Sequence, residues 1–188
     1  MKECEAIGRL KQGDIGGLET LMKIHQLKAA RTAYLIVRDY YLAEDVVEDA
    51  FLRAYERINQ FDTERPFGPW FLRIVINIAK RTAVQRERHI SLNNVNTDEE
   101  ITLDNILADI TPDPEEQTEQ ADLHNAVWAA LGKLTPAQRD TIVQRYYLDL
   151  SEKEIAANSD SPLGTIKWRL HIAREHLREW LRPLVAHG

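Results

Sequence analysis

Residues 43–58 read AEDVVEDAFLRAYERI. Val46, Val47, Ala50, Phe51, Ala54, Tyr55 and Ile58 recur at intervals of three and four and form one stripe, while Glu44, Asp45, Glu48, Asp49, Arg53 and Glu56 lie mainly off it. This pattern predicts a long amphipathic helix from Glu44 to Ile58. Just downstream, residues 65–78 read RPFGPWFLRIVINI, an entrance to a second helix crowded with three aromatics and two prolines. Pro69 suits a first turn, where its missing N–H costs nothing. Trp70, Phe71, Ile74, Val75 and Ile78 supply another apolar stripe. An aromatic cluster at a helix entrance is ordinarily core, because aromatics carry large buried area. Upstream, residues 3–12 and about 15–38 read as two further helices, with Gly13 and Asp14 as stop and start. Gly16 and Gly17 weaken the second start by about 1 kcal/mol each relative to alanine.

Beyond residue 89 the composition changes. The 188-residue chain has net charge −6, but residues 1–89 carry 15 Lys and Arg against 13 Asp and Glu, and residues 126–188 carry 9 against 7. Residues 90–125 carry no Lys or Arg and 10 Asp and Glu. All the excess acid is therefore central, and each flank is slightly basic, which keeps a nucleic-acid partner open despite the overall sign. The central stretch SLNNVNTDEEITLDNILADITPDPEEQTEQ shows no sustained helical or strand period, and it reads as a linker over 90–118, extended by self-repulsion.

After it, Thr135-Pro136-Ala137-Gln138 carries a threonine cap, a first-turn proline and a capping-box glutamine, and Ser151-Glu152-Lys153-Glu154 repeats the device. A third start follows at Ser161-Pro162. These starts define a helix of about 13 residues, a very short one and a long one, the outline of a helix-turn-helix. A plain structural helical hairpin has the same outline. In the long helix Ile166, Leu170, Ala173, Leu177 and Leu181 form the core stripe. Gly164, Lys167, Trp168 and His171 project from the other side, with Arg174 and Arg178 towards its edge. The fold class is thus all-α: two small helical domains, 1–89 and 119–188, joined by an acidic flexible linker, the second domain a helix-turn-helix.

Several functions are disfavoured. Cys4 is the single cysteine, so neither an intramolecular disulfide nor a cysteine-rich zinc site can form. His171 and His176 are five apart, not the four that puts two ligands on one helical face. No nucleophile–base arrangement, phosphate-cradling glycine loop or metal spacing is present, so no enzyme, metal or cofactor is expected. The N-terminus has no signal-like apolar stretch, and no run approaches the ~20 residues that span a bilayer, so the chain reads as cytoplasmic, without membrane insertion.

AEDVVEDAFLRAYERINQFDTERPFGPWFLRIVINIAKR, followed at a distance by LTPAQRDTIVQRYYLDLSEKEIAANSDSPLGTIKWRLHIAREHLR, resembles a bacterial RNA polymerase sigma factor of the extracytoplasmic-function type. The resemblance covers roughly residues 5–88 and 119–182. It implies a transcription initiation factor whose first domain binds core RNA polymerase and the minus-ten promoter element, and whose second binds the minus-thirty-five element. It implies that Asp45, Glu48, Asp49 and Arg53 form a charged rim against core polymerase. In the loop from Phe61 to Gly68, which in the family catches a base flipped from the non-template strand, it makes Phe61, Asp62, Arg65 and Phe67 the contact candidates, with Trp70 and Phe71 anchoring the loop in the core. Extruding a base costs a few kcal/mol, which stacking and hydrogen bonding in such a loop must offset. Arg73, Asn77, Lys80 and Arg81 fall on the following helix as minus-ten contacts, arginine and lysine for phosphates and asparagine for a base edge.

In the second domain the resemblance gives Thr165, Lys167, Trp168, Arg169, His171 and Arg174 to the minus-thirty-five element. Departures from the family pattern stand out. Glu48 and Asp49 replace the usual glutamine and glutamate, which leaves the charge logic intact. Ser159-Asp160 stands where a leucine–glycine pair is common, so the turn must be made differently. Trp168 replaces a small polar residue and Ile172 a frequent arginine, which suggests weaker or altered DNA binding. Trp168 is then either a DNA-facing stacker or part of a hydrophobic patch that meets a protein. An anti-sigma partner is a further expectation of the family. The acidic linker is either a tether or a mimic of nascent RNA acting through Asp98, Glu99, Glu100 and Asp104. The competing functional reading is a sigma mimic that titrates an anti-sigma or similar regulator. A stand-alone helix-turn-helix repressor leaves the aromatic loop unexplained.

Overall fold

Gly13 turns the chain out of α1 (Glu3–Lys11) with φ +84°, a left-handed conformation open to glycine at no steric cost. Asp14 then accepts a hydrogen bond from the Gly16 N–H (2.9 Å) at the entry to α2 (Gly16–Val37). Its other oxygen takes the Arg9 Nε (2.7 Å), and these two interactions hold its carboxyl below the usual carboxylate range. The computed structural model describes residues 2–93 and 114–185. Gly17, expected only to weaken a helix start, has a packing reason. A Cβ there would lie 2.2 Å from the Ala6 carbonyl oxygen, so its absence lets α1 press against α2 through Ala6, Ile7 and Leu10.

The third helix, α3 (Tyr40–Glu56), starts four residues before the expected Glu44. Asp39 is the cause: its side chain accepts from the Leu42 N–H (3.0 Å), and its second oxygen lies 3.5 Å from Arg86 Nε. Asp39→Ala is expected to lower the stability of this unit by about 1 kcal/mol, the typical value of an N-cap, read as a lower urea midpoint. Past α3, Ile58–Gln60 form a single 3₁₀ turn, so Ile58 lies on that turn instead of ending the helix.

The fourth helix, α4 (Phe67–Asn93), packs against α2 and α3. It buries Phe67, Phe71, Val75, Ile76, Ile78, Ala79 and Ala83. The buried stripe is rotated from the expected one: Ile76 and Ala79 are inside, whereas Trp70 and Ile74 lie at its edge, half-buried. Phe71, 0 % exposed, stacks on Phe51 (ring centroids 4.4 Å apart) and on Phe67 (5.7 Å).

The chain divides into two units, Met1–Asn94 and Val95–Gly188. In the second, α5 (Pro114–Lys133) precedes α6 (Pro136–Ile142), which runs into a π-helical turn at Val143–Tyr147, followed by α7 (Glu152–Ser159) and α8 (Leu163–Val185). Thr135 and Ser151 both form complete capping boxes, with Gln138 and Glu154 answering them. Hydrogen bonding from Ser151 keeps the Glu154 carboxyl below its ordinary range. The core is Ala130, Leu131, Leu134, Ile142, Val143, Ile155, Ile166, Leu170 and Ala173.

The linker reading over 90–118 is shortened at both ends, because α4 continues through Asn93 and α5 begins at Pro114. Residues 94–113, with Asp98, Glu99, Glu100 and Asp104, lie outside the described residues. Among the described residues there is no β-strand.

Candidate functional site

Three surfaces gather the residues singled out from the sequence. On α3, Asp45, Glu48 and Asp49 are exposed and Arg53 is partly so, its Nη2 3.8 Å from Asp49 Oδ2. An exposed ion pair of this kind contributes at most about 1 kcal/mol, so its members remain available to a partner. The 3.6-residue period puts Asp45, Glu48, Asp49, Leu52 and Glu56 on one face, and Leu52 is 59 % exposed among these charges. Sequence periodicity missed Leu52, because a single leucine off the apolar stripe carries no pattern. An exposed apolar side chain inside a charged rim has the anatomy of an interface anchor.

The second surface is the loop between the 3₁₀ turn and α4. Asp62 organises it from within: Oδ1 accepts from the Glu64 N–H (3.1 Å), its carbonyl accepts from the Arg65 N–H (3.1 Å), and Oδ2 lies 3.3 Å from Arg65 Nε. Asp62 and Arg65 are exposed. Phe61 and Phe67 are not. They are 4 % and 1 % exposed, packed edge-to-face with centroids 5.5 Å apart, so neither ring offers a free face and the expectation that they stack a base is corrected. Trp70, assigned to the core from the sequence, is instead half-exposed and packs on Phe61 (5.0 Å) and Phe67 (5.4 Å). The two phenylalanines form the floor, and Trp70 is the aromatic that reaches the surface. Beyond it, Arg73 and Arg81 are exposed and Asn77 and Lys80 partly exposed on the outer side of α4. The row from 73 to 81 runs about 12 Å, the length of three to four stacked nucleotides.

The third surface is the start of α8. Lys167, Trp168 and His171 are exposed, Trp168 at 61 %, and Thr165 is partly so. Arg169 departs from expectation: it is half-buried, and its Nη1 is enclosed without a hydrogen-bond partner, so that donor does not face solvent. Arg174 is braced, its Nε donating to the Tyr146 hydroxyl (2.8 Å) and its guanidinium 5.8 Å from the Tyr146 ring centroid. Exposed Glu175 and Glu179 follow among Arg178 and Arg182, Glu175 pairing with Arg178 (2.6 Å), so the basic stretch free of acid is the N-terminal half of the helix.

The Ser159-Asp160 turn is made with polar groups. Asp160 takes the left-handed conformation (φ 47°), and the Ser161 N–H donates to the Ala156 carbonyl (3.1 Å). Buried Gln144 donates to Asp140 Oδ1 (2.8 Å) and to Ser159 Oγ (3.4 Å), and accepts from Asn158 Nδ2 (3.3 Å). Hydrogen bonds across the turn thus stand where a leucine would have packed.

Among the described residues, no group of three or more His, Cys, Asp and Glu could hold a metal ion, and no helix is long and apolar enough to cross a membrane.

Two family models match the chain, Sigma-70 region 2 over residues 21–89 and Sigma-70, region 4 over 124–177. The chain is 32 % identical over 180 residues to the ECF RNA polymerase sigma factor SigW of Bacillus subtilis, covering 95 % of this chain and 96 % of that one. It is 30 % identical over 183 residues to the ECF RNA polymerase sigma-E factor of Escherichia coli K12, covering 95 % and 94 %. Among solved structures, the sigma factor RpoE from Bartonella quintana, crystallised with the anti-sigma factor NepR, shares the fold at a TM-score of 0.64 and 22 % identity, over 87 % of this chain and 96 % of that one.

Proposed function

Since the chain belongs to the extracytoplasmic-function sigma factors, a family of non-enzymatic transcription initiation factors, we propose that its three surfaces divide the work of that family. The α3 face, with Leu52 inside the rim of Asp45, Glu48, Asp49 and Arg53, docks on bacterial core RNA polymerase. The loop at 61–68 and the outer row of α4 take the minus-ten element: Asp62 and Arg65 from the loop, Trp70 as the stacking aromatic, Arg73, Lys80 and Arg81 on phosphates and Asn77 on a base edge. The start of α8 takes the minus-thirty-five element through Thr165, Lys167, Trp168 and His171. Arg169, with one donor enclosed, and Arg174, with its Nε held by Tyr146, contribute through their remaining donors. Catalysis belongs to the polymerase, the site of action is the cytoplasm, and an anti-sigma factor is the expected regulatory partner.

The observation that carries this reading is the separation of the surfaces: one unit presents an apolar anchor with a charged rim on α3 and a basic row beside an aromatic platform on α4. The test is equilibrium binding of the labelled chain to bacterial core polymerase at low salt. Saturable binding is expected, and its absence would defeat the reading. With a holoenzyme in hand, Lys167→Ala should weaken promoter binding and reduce the slope of log affinity against log salt by about 1, the signature of one lost phosphate contact. An unchanged slope would remove Lys167 from the interface.

A further inference from the structure

Helix α1 lies outside the stretch matched by the first family model, which begins at residue 21. Yet it reaches the aromatic loop at two points, directly at its C-terminal end and through His25 of α2 at its N-terminal end. At its C-terminal end, Lys11 Nζ donates to the Phe61 carbonyl oxygen (2.7 Å), across 50 residues of sequence and in a part-buried position. At its N-terminal end, Glu3 Oε1 pairs with His25 Nε2 (2.6 Å), and the His25 ring lies against Phe67 (centroids 5.3 Å apart). A Cβ on Gly68 would be 3.4 Å from that ring, so the imidazole also fills the space beside the loop's last residue. Ala6, Ile7 and Leu10 fix the helix between these two contacts, and Gly17 lets it approach α2 closely enough to make them.

We infer that α1 is a bracket for the minus-ten loop, and that Lys11 is its main positioning residue. Phe61 leaves the 3₁₀ turn in an extended conformation (φ −72°, ψ 127°), and the direction of its carbonyl sets how Asp62 begins the next turn. A charge-assisted hydrogen bond from an ammonium fixes that carbonyl more firmly than a neutral donor would. The loop's polar ties from Asp62 to Glu64 and Arg65 are internal and exposed, and the buried Phe61 and Phe67 rings anchor its two ends in the core, so the direction of the backbone leaving Phe61 is left to Lys11. Lys11 holds the loop at its entry, and Glu3 through His25 supports it at its exit. Neither residue need touch DNA; both keep Asp62, Arg65 and Trp70 at a constant geometry, so that little ordering remains to be done when a base is captured. This inference rests on the assignment of the loop to the minus-ten element.

The experiment uses holoenzyme assembled from core polymerase and the whole chain. The probe is a labelled 12-nucleotide non-template strand, taken from a promoter that the wild-type holoenzyme selects from a random duplex library. Lys11→Met is expected to lower affinity for this strand about tenfold, as the loss of one charged hydrogen bond would. It should also shrink the preference for the selected sequence over single-base substitutions, leave affinity for core polymerase unchanged, and be largely rescued by Lys11→Arg. Glu3→Ala, at the other end of the bracket, should give a smaller loss of the same kind, and serves if Lys11→Met does not fold. Arg65→Ala is the control for the loop itself. Loss of strand binding by Arg65→Ala with wild-type behaviour of the Lys11 and Glu3 variants would overturn the bracket and leave the loop assignment standing. Wild-type behaviour of all of them would overturn both. A fall in affinity with the sequence preference intact would reduce Lys11 to a stability residue and also overturn the inference.

Discussion

Leu52→Glu is expected to lower affinity for core polymerase about 100-fold, the scale of a lost interface anchor, while leaving the fold intact. Two effects add. The leucine's apolar area no longer leaves water on binding, and a fifth carboxylate joins Asp45, Glu48, Asp49 and Glu56 on a face where a partner must already accommodate four. Because Leu52 projects into solvent, the change removes little from the core, and the thermal midpoint should move by no more than about 2–4 °C, the shift that the ~0.5 kcal/mol of an ordinary surface substitution produces in a unit of this size. Equilibrium binding beside a thermal melt separates the two. Loss of binding together with loss of folding would be uninformative about the interface, so Leu52→Ala, expected to lose about tenfold, accompanies it. Full-strength binding by both variants would remove the α3 face from the polymerase interface.

Phe71→Ala is expected to destabilise the first unit by about 4 kcal/mol, the usual cost of emptying an aromatic site in a core. The ring is fully buried and stacks on both Phe51 and Phe67, so the cavity opens between α3 and α4 directly under the loop. Domains are stable by roughly 5–15 kcal/mol, so a loss of this size brings the unit close to unfolding. Residues 136–182 belong to a different unit and should unfold as before. Hydrogen exchange followed by peptide mapping reads the units separately: protection should collapse in α2, α3 and α4 and persist in α6 and α8. Uniform loss in both units would show that they do not unfold independently.

The contrast between what sequence conveyed and what it did not follows the range of the forces. The capping boxes at Thr135 and Ser151 were legible because donor and acceptor are three residues apart and both partners are in the motif. The start of α3 was placed late because Asp39 lies upstream of the apolar stripe, where periodicity has nothing to report. On α4 the stripe was recognised but its centre was misjudged. Trp70 and Phe67 were exchanged between core and surface, since a run as apolar as WFLRIVINI fits several rotations and only packing against α2 and α3 chooses one. Phe61 is a stricter case. Its direction depends on a 3₁₀ turn and on a lysine 50 residues away, and no local pattern encodes either. Of the three surfaces, the charged rim is readable as residues off a stripe and the basic row follows only from the family resemblance; Leu52 and Tyr146 emerge from exposure and contacts.

The most direct test of the central claim is transcription by bacterial core polymerase, with and without the chain, on a library of random duplex DNA whose products are sequenced. The account predicts transcripts that require the chain and start at a fixed distance downstream of a two-part sequence motif, with the motif's upstream half lost when Trp168 and Lys167 are replaced by alanine. A chain that binds core polymerase but yields no selective initiation would contradict it, and would point to a protein that occupies a regulator of sigma factors instead of acting as one.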